Sequence, residues 1–199
     1  MGRKEPPLIA LTGGMGAGKS TALKALEGMG VAVLSTDAVV HELYEGERMR
    51  DAVVERWGEE MAPGGVVDRS KVAERAFESE EERGWLEQTL WPLVGERVTQ
   101  WLQEARACEP APRATVIEVP LLFEAGMEGS YDATIAVIAD ESVRAERAAS
   151  RGHALQDARA ARQLPQEEKA RRATSVVRND GSEADLAAQL SGVLDTLAG

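Results

Sequence analysis

Eight residues near the start of the chain have the types and spacing needed to bind a chain of phosphates. They are Gly13-Gly14-Met15-Gly16-Ala17-Gly18-Lys19-Ser20, which match G-x-x-x-x-G-K-[ST] at every fixed position. Glycines let a backbone approach phosphate oxygens closely and turn successive N–H groups toward them. The lysine then bridges the β- and γ-phosphates, and the serine hydroxyl binds Mg²⁺. The motif predicts an ATP site formed by Gly14, Met15, Gly16, Ala17, Gly18, Lys19, Ser20 and Thr21, with Ser20 on the metal.

The elements on both sides of this motif are those that a phosphate-binding loop requires. Residues 8–11 form a short apolar run that predicts a buried strand, and residues 20–29 have helical periodicity. A second buried strand is predicted at 31–34. Further strands are predicted at 114–119, 133–137 and 175–177, and helices at 141–151, over 154–173 with an interruption at Pro165, and at 186–197. This order predicts an α/β chain with a parallel sheet and the three-layer fold of P-loop NTPases.

Residues 38–113 have the apolar spacing of helices rather than of strands. Apolar side chains recur there every three or four positions, for example after Val39 and before Trp101. Pro92 suits the first turn of a new helix or a kink within one. We therefore predict a single domain over 1–199, in which a core of 1–37 and 114–199 carries a helical insertion over 38–113.

The composition excludes several classes of function. The net charge is −11, whereas a general nucleic-acid binder needs a basic surface, so we expect no nucleic acid partner. Residues 144–178 nevertheless hold nine basic residues against four acidic ones, which favours a small polyanionic ligand. Cys108 is the single cysteine, so no internal disulfide can form, and a cytoplasmic location is expected. We expect no signal peptide and no membrane segment.

Asp37 is the candidate catalytic base. It follows the second predicted strand, where an acid faces the phosphate loop in small P-loop kinases. A carboxylate there can accept the proton of an attacking hydroxyl and can hold Mg²⁺ through water. The alternative is that Asp37 only caps the next helix, a role that is compatible with catalysis.

Arg144, Arg147 and Arg151 are spaced by three and four residues, so they share one helical face. A guanidinium is always charged and its fork matches phosphate oxygens, so Arg147 is a candidate for stabilising the transferring phosphoryl group. The alternative is a solvated face that pairs with Glu141 and Glu146.

The phosphate-binding motif does not identify the acceptor, because GTPases, motor ATPases and kinases share it. The chain has no N-K-x-D guanine signature. We also expect no large accessory domain for mechanical coupling. A short chain with a helical insertion favours a small-molecule kinase.

Several segments in order resemble the dephospho-CoA kinase family over nearly the whole chain. The opening LTGGMGAGKST is similar to the start of that family, and Val119-Pro120-Leu121-Leu122-Phe123-Glu124 is its most specific element. The remaining similar segments are Thr36-Asp37 with His41-Glu42-Leu43, Val67-Asp68-Arg69, Gln163-Leu164-Pro165 with Lys169, and Val177-Arg178-Asn179-Asp180-Gly181.

The resemblance implies that ATP phosphorylates the ribose 3′-hydroxyl of dephospho-CoA, with Mg²⁺ as cofactor. It implies that Asp37 is the base, that Arg147 is catalytic with Lys19, and that Arg151 and Asn179 bind ATP. A helical lid is expected over about 151–173, and the insertion is expected to hold the acceptor. The implied acceptor-binding residues are Asp37, His41, Arg69, Leu121, Leu122 and Glu124. We expect a monomer or a small homo-oligomer.

Two positions depart from the family pattern. Ser35 stands where the family has a first aspartate, and Trp91 stands where it has a histidine. The alternatives are therefore another P-loop kinase, of the nucleoside monophosphate or gluconate type, and a nucleotide-binding regulator without catalysis.

Overall fold

The computed structural model describes residues 5–149 and 163–198. Its contacts divide the chain into two compact units, one made of the stretches up to Ser35 and from Gln103 onward, the other of Thr36–Leu102. No helix in the described parts of the chain combines the length and apolarity that a membrane span requires.

The first unit is built on a five-stranded sheet whose strands all run parallel. The order across the sheet is β2-β3-β1-β4-β5. The strands are β1 Leu8–Gly13, β2 Ala32–Ser35, β3 Thr115–Glu118, β4 Ala133–Ile138 and β5 Ser175–Arg178. The five strands were predicted from apolar runs, which are typical of parallel sheets covered on both faces. The structure confirms the predicted α/β class.

The helices of this unit follow the strands. They are α1 Lys19–Gly28, α6 Glu141–Ala149, α7 Gln166–Arg172 and α8 Glu183–Leu197, together with the last residues of the long helix α5, Glu80–Ala107. Ser182 and Asp185 form a capping box that begins α8. One core cluster joins α1 and α8 to alternate residues of the central strands, among them Ile9, Leu11, Ile135 and Val137. Because strand side chains alternate, Ala10, Thr12 and Thr134 face the other side, and they too are buried.

The second unit consists of helices. They are α2 Thr36–Glu45, α3 Glu47–Trp57, α4 Arg69–Phe77 and most of α5 Glu80–Ala107, with 3₁₀ turns at Glu59–Met61 and Pro63–Gly65. Trp57 and Trp85 pack edge to face with ring centroids 4.7 Å apart. The Glu82 carboxylate accepts from the Trp57 indole N–H at 2.6 Å and from Arg56 at 3.0 Å.

Pro92 does not begin a new helix, because it lies inside the single helix α5. A proline in a helix interior removes one backbone hydrogen bond. Leu93 and Val94, which follow it, are buried, so packing holds this part of α5 in place. The helix α4 was not predicted. Its sequence signal is Asp68, whose carboxylate accepts from the N–H groups of Ser70 and Lys71.

Candidate active site

The phosphate loop joins β1 to α1, as the motif predicts. Its glycines have backbone conformations and surroundings that other residues do not tolerate. Gly16 has φ 75° and Gly18 has φ 90°, both in the left-handed region. A Cβ on Gly16 would lie 2.5 Å from the Arg144 carbonyl oxygen, and one on Gly18 would overlap the Asn179 side-chain nitrogen. The loop is therefore held closely between α6 and the segment that follows β5.

Lys19 places its ammonium group over this loop. Its Nζ donates to the carbonyl oxygens of Gly13 at 3.1 Å and Gly14 at 3.3 Å. The Glu118 carboxylate lies 4.0 Å from the same nitrogen. Ser20, the next residue, is exposed, and Thr21 is half-buried. The Lys19 ammonium group, the hydroxyls of Ser20 and Thr21 and the buried Glu118 carboxylate thus lie at the same end of the sheet.

Glu118 is a site residue that sequence reasoning missed. It is the last residue of β3, and only 6 % of its surface is exposed. The register pairs it with Leu11 of β1 on one side and with Ser35 of β2 on the other. The signal for it was a carboxylate that ends an apolar strand, since the carboxyl ends of parallel strands share one edge of the sheet.

Asn179 and Arg147 meet beside Gly18. The Asn179 amide donates to the Ala17 carbonyl at 2.9 Å, and Arg147 donates to the Asn179 carbonyl at 3.1 Å. The structure therefore brings these two predicted residues together at the loop. Arg151, which was predicted on the same face, and most of the expected lid over about 151–173 lie outside the described residues.

A cavity of about 370 Å³ opens next to the loop. It is lined by, among others, Gly14, Met15, Arg144, Gln163, Gln166 and Glu167. The Gln163 side-chain oxygen accepts from the Met15 N–H at 3.1 Å. The pKa of Glu167 is held below its usual value, first by its own backbone N–H, then by the Gln166 side chain, with the Arg144 charge adding to both. The cavity is thus lined by charged and polar side chains together with apolar ones, such as Leu164 and Pro165.

The residues predicted to bind the acceptor belong to both units. Asp37 is the second residue of α2, and His41 lies on the same helix. Within the second unit, an Arg69 nitrogen contacts His41 Nε2. In the first unit, Leu121 is half-buried and Leu122 is fully buried in the segment after β3.

Comparisons with known proteins agree with this architecture. The model of the dephospho-CoA kinase family matches residues 7–185. A dephospho-CoA kinase from Rhodopseudomonas palustris is 36 % identical over 194 residues, which cover 96 % of each chain. A crystal structure from Thermus thermophilus superposes with a TM-score of 0.81 at 35 % identity, covering 98 % of this chain and all of that one.

A more distant structure shows the same fold. A dephospho-CoA kinase from Campylobacter jejuni superposes with a TM-score of 0.69 at 21 % identity, covering 96 % of each chain. The match of the family model extends from β1 through the capping box that begins α8, and so includes the phosphate loop, Glu118 and Asn179. This chain is a member of the dephospho-CoA kinase family.

Proposed function

We propose that this protein transfers the γ-phosphoryl group of ATP to the ribose 3′-hydroxyl of dephospho-CoA, which gives coenzyme A and ADP in the last step of coenzyme A biosynthesis. The observation that carries the proposal is the phosphate loop of a dephospho-CoA kinase family member, with Lys19 over its carbonyl groups and Glu118 beside it. An ammonium group in this position stabilises charge on the phosphates.

Asp37 is the proposed base. The support is its position in the chain, two residues beyond Ser35, which ends β2 in register with Glu118. A carboxylate at this point can take the proton of the ribose hydroxyl. Arg147 and Lys19 are proposed to stabilise the transferring group. Asn179 and Arg151 are proposed to bind ATP.

The acceptor-binding residues are proposals as well. His41 and Arg69, which contact one another, are proposed to bind dephospho-CoA. Their chemistry suits a phosphorylated acceptor, because an arginine fork binds phosphate oxygens. Leu121 and Leu122 of the first unit are also proposed to contact this acceptor.

The residues present fit Mg²⁺, which prefers oxygen ligands and is usually held by few protein groups together with the phosphates. The Ser20 hydroxyl and the Glu118 carboxylate, which is 6 % exposed, would hold it. When bound, the ion would supply positive charge beside the triphosphate. We expect the enzyme to act in the cytoplasm as a monomer or a small homo-oligomer.

ADP formation tests the proposed reaction. The purified protein is incubated with ATP and Mg²⁺, alone and with dephospho-CoA, shikimate, gluconate or a nucleoside monophosphate. We expect rapid ADP formation with dephospho-CoA and coenzyme A as the second product. Faster ADP formation with another acceptor would identify a different kinase, and tight ATP binding without any ADP would identify a regulator.

Asp37→Asn tests the proposed base. Removal of a general base typically lowers the rate by about 10²–10⁴-fold, so turnover should fall by that factor while ATP still binds. Asp51→Asn is the matched control, because Asp51 is an exposed carboxylate on α3 that pairs with its neighbour Arg50. Turnover in Asp37→Asn equal to that of the control would remove Asp37 from the mechanism.

A further inference from the structure

A buried lysine and a glutamate in the first unit take no part in the proposed chemical steps. Lys169 on α7 has no exposed surface. Its Nζ lies 2.8 Å from Glu124 Oε1 and donates to the Pro120 carbonyl at 2.6 Å. Replacing a buried ion pair with uncharged residues of similar volume is often neutral or stabilising. Stability alone therefore does not account for this pair.

The contacts of Glu124 in the described residues are with groups of the protein itself. Its Oε1 accepts from the Leu164 N–H at 2.7 Å as well as from Lys169. Its other oxygen, Oε2, is buried and has no hydrogen-bond partner among the described residues. The side chain of Glu124 is 13 % exposed, so it is largely enclosed by the protein.

One chain of contacts leads from Lys169 to the start of the phosphate loop. The Pro120 carbonyl that accepts from Lys169 also accepts from the Thr12 hydroxyl, at 3.4 Å. Thr12 is fully buried in β1 and immediately precedes Gly13, the first glycine of the motif. The position of the Pro120 carbonyl therefore helps to set the position of Thr12, where β1 leads into the phosphate loop.

A second chain of contacts leads from Glu124 into the loop itself. Glu124 holds the Leu164 N–H, and the adjacent residue Gln163 accepts from the Met15 N–H. Gln166, at the start of α7, accepts from the N–H of Ala139 at 3.2 Å, which fixes this segment at the end of β4 as well.

We propose that Lys169 and Glu124 form a positioning pair that sets the geometry of the phosphate loop at Thr12 and at Met15. Glu124 is then a positioning residue and not a contact of the acceptor. In this arrangement the charges fix two backbone groups, the Pro120 carbonyl and the Leu164 N–H, that uncharged side chains would hold less firmly. The inference rests on the proposed function only where turnover is concerned, because ATP binding reports on the loop without any acceptor.

The test uses Lys169→Met, Glu124→Gln and the double variant. Lys169→Met leaves a buried carboxylate without its cation, so its melting temperature should fall by about 10 °C. The double variant is uncharged at both positions and keeps an acceptor for the Leu164 N–H, so its melting temperature should return to within a few degrees of the original. Its affinity for ATP and its kcat/KM for ATP should nevertheless stay about 10–100-fold lower, since small misplacements of binding groups cost that much.

The matched control is the double variant Arg171→Met/Glu168→Gln. It removes an exposed ion pair from the same helix, and such pairs contribute little. We expect its melting temperature and ATP affinity to be unchanged. If Lys169→Met/Glu124→Gln matches this control in ATP affinity and in kcat/KM, the pair is only structural and the proposal is wrong.

Gln163→Ala tests the second chain of contacts without leaving a buried charge. We expect the KM for ATP to rise several-fold at an unchanged melting temperature, and an unchanged KM would overturn the role of the Met15 contact. If the double variant fails to fold, Lys169→Met is assayed well below its melting temperature. An ATP affinity equal to that of the unaltered protein would then also refute the proposal. Failure of the unaltered protein to phosphorylate dephospho-CoA would refute the proposed function instead and would leave these binding results intact.

Discussion

Gly18→Ala should destabilise the first unit because two separate features require glycine there. The residue has φ 90°, a conformation that residues with a Cβ rarely adopt. The added Cβ would also overlap the Asn179 side-chain nitrogen. That nitrogen donates to the Ala17 carbonyl at 2.9 Å in a place where Asn179 is only 4 % exposed. Alanine at position 18 therefore imposes strain and displaces a buried donor.

The free energy of unfolding should fall by the sum of these effects. The left-handed conformation costs about 1–2 kcal/mol for a residue with a Cβ. Leaving the buried Ala17 carbonyl without its donor costs about 1–3 kcal/mol. Gly18→Ala should therefore cost about 2–5 kcal/mol, while Asn179→Ala should cost about 1–3 kcal/mol, because it loses only the hydrogen bond.

The double variant Gly18→Ala/Asn179→Ala distinguishes these contributions. The hydrogen bond can be lost only once, and the shorter side chain of the Asn179→Ala substitution leaves space for the new Cβ. The double variant should therefore be about as stable as Gly18→Ala alone, and the two substitutions should show an interaction energy of about 1–3 kcal/mol. Unfolding in urea is followed by circular dichroism, and ATP affinity is measured on the same samples.

Gly28→Ala is the matched control for this experiment. Gly28 ends the same helix α1, and a Cβ there would meet no atom within 4 Å. Its substitution should not lower the free energy of unfolding and should raise it by up to about 1 kcal/mol, because alanine favours the helix. If Gly18→Ala behaves like Gly28→Ala, or if the costs of Gly18→Ala and Asn179→Ala simply add, the contact with Asn179 does not constrain the loop and the reasoning is wrong.

Two further predictions concern carboxylates in the two units. Glu118, which lies 4.0 Å from Lys19, is proposed to hold Mg²⁺. Glu118→Gln should therefore lower turnover by about 10–100-fold, as is typical when a group near a metal is lost, and should raise the Mg²⁺ concentration needed for activity. If the Mg²⁺ dependence is unchanged, Glu118 does not hold the metal. In the second unit, the Arg56 guanidinium and then the Trp57 N–H hold the pKa of Glu82 below its usual value. The stability that this lowered pKa provides is present above the usual pKa of a glutamate and is lost as pH falls through the lowered pKa of Glu82. Tryptophan fluorescence should therefore report acid unfolding of the second unit in that pH range. Glu82→Gln should lack this pH dependence.

The sequence was sufficient to predict the sheet and the phosphate loop. Apolar runs such as 133–137 form strands in sheets that are covered on both faces. The spacing of the glycines with Lys19 is that of a phosphate-binding loop. These features depend on neighbours in the sequence, which explains why they can be recognised without a structure. The boundaries of the strands were accurate to within a residue or two.

Features that depend on distant contacts were not predicted. Lys169 lies in a stretch with the composition of a polar helix, and only the presence of Glu124 and the Pro120 carbonyl explains its complete burial. Pro92 suggested either the start of a new helix or a kink, and packing of the residues after it keeps α5 continuous. The roles of the predicted site residues, among them Asp37, Arg147 and Arg151, remain predictions from the sequence.

Contacts with residues far away in the sequence make the phosphate-binding motif a binding site. The Met15 N–H is held by Gln163, 148 residues away in sequence, and the Ala17 carbonyl by Asn179, 162 residues away. A chain could keep every residue from Gly13 to Ser20 and still lose ATP if these distant partners were replaced, because the loop would no longer be fixed in a conformation that accepts phosphate oxygens. The affinity of a phosphate loop is therefore a property of the folded unit, and a variant at Gln163, which is not a proposed ATP contact, should weaken ATP binding although the motif is intact.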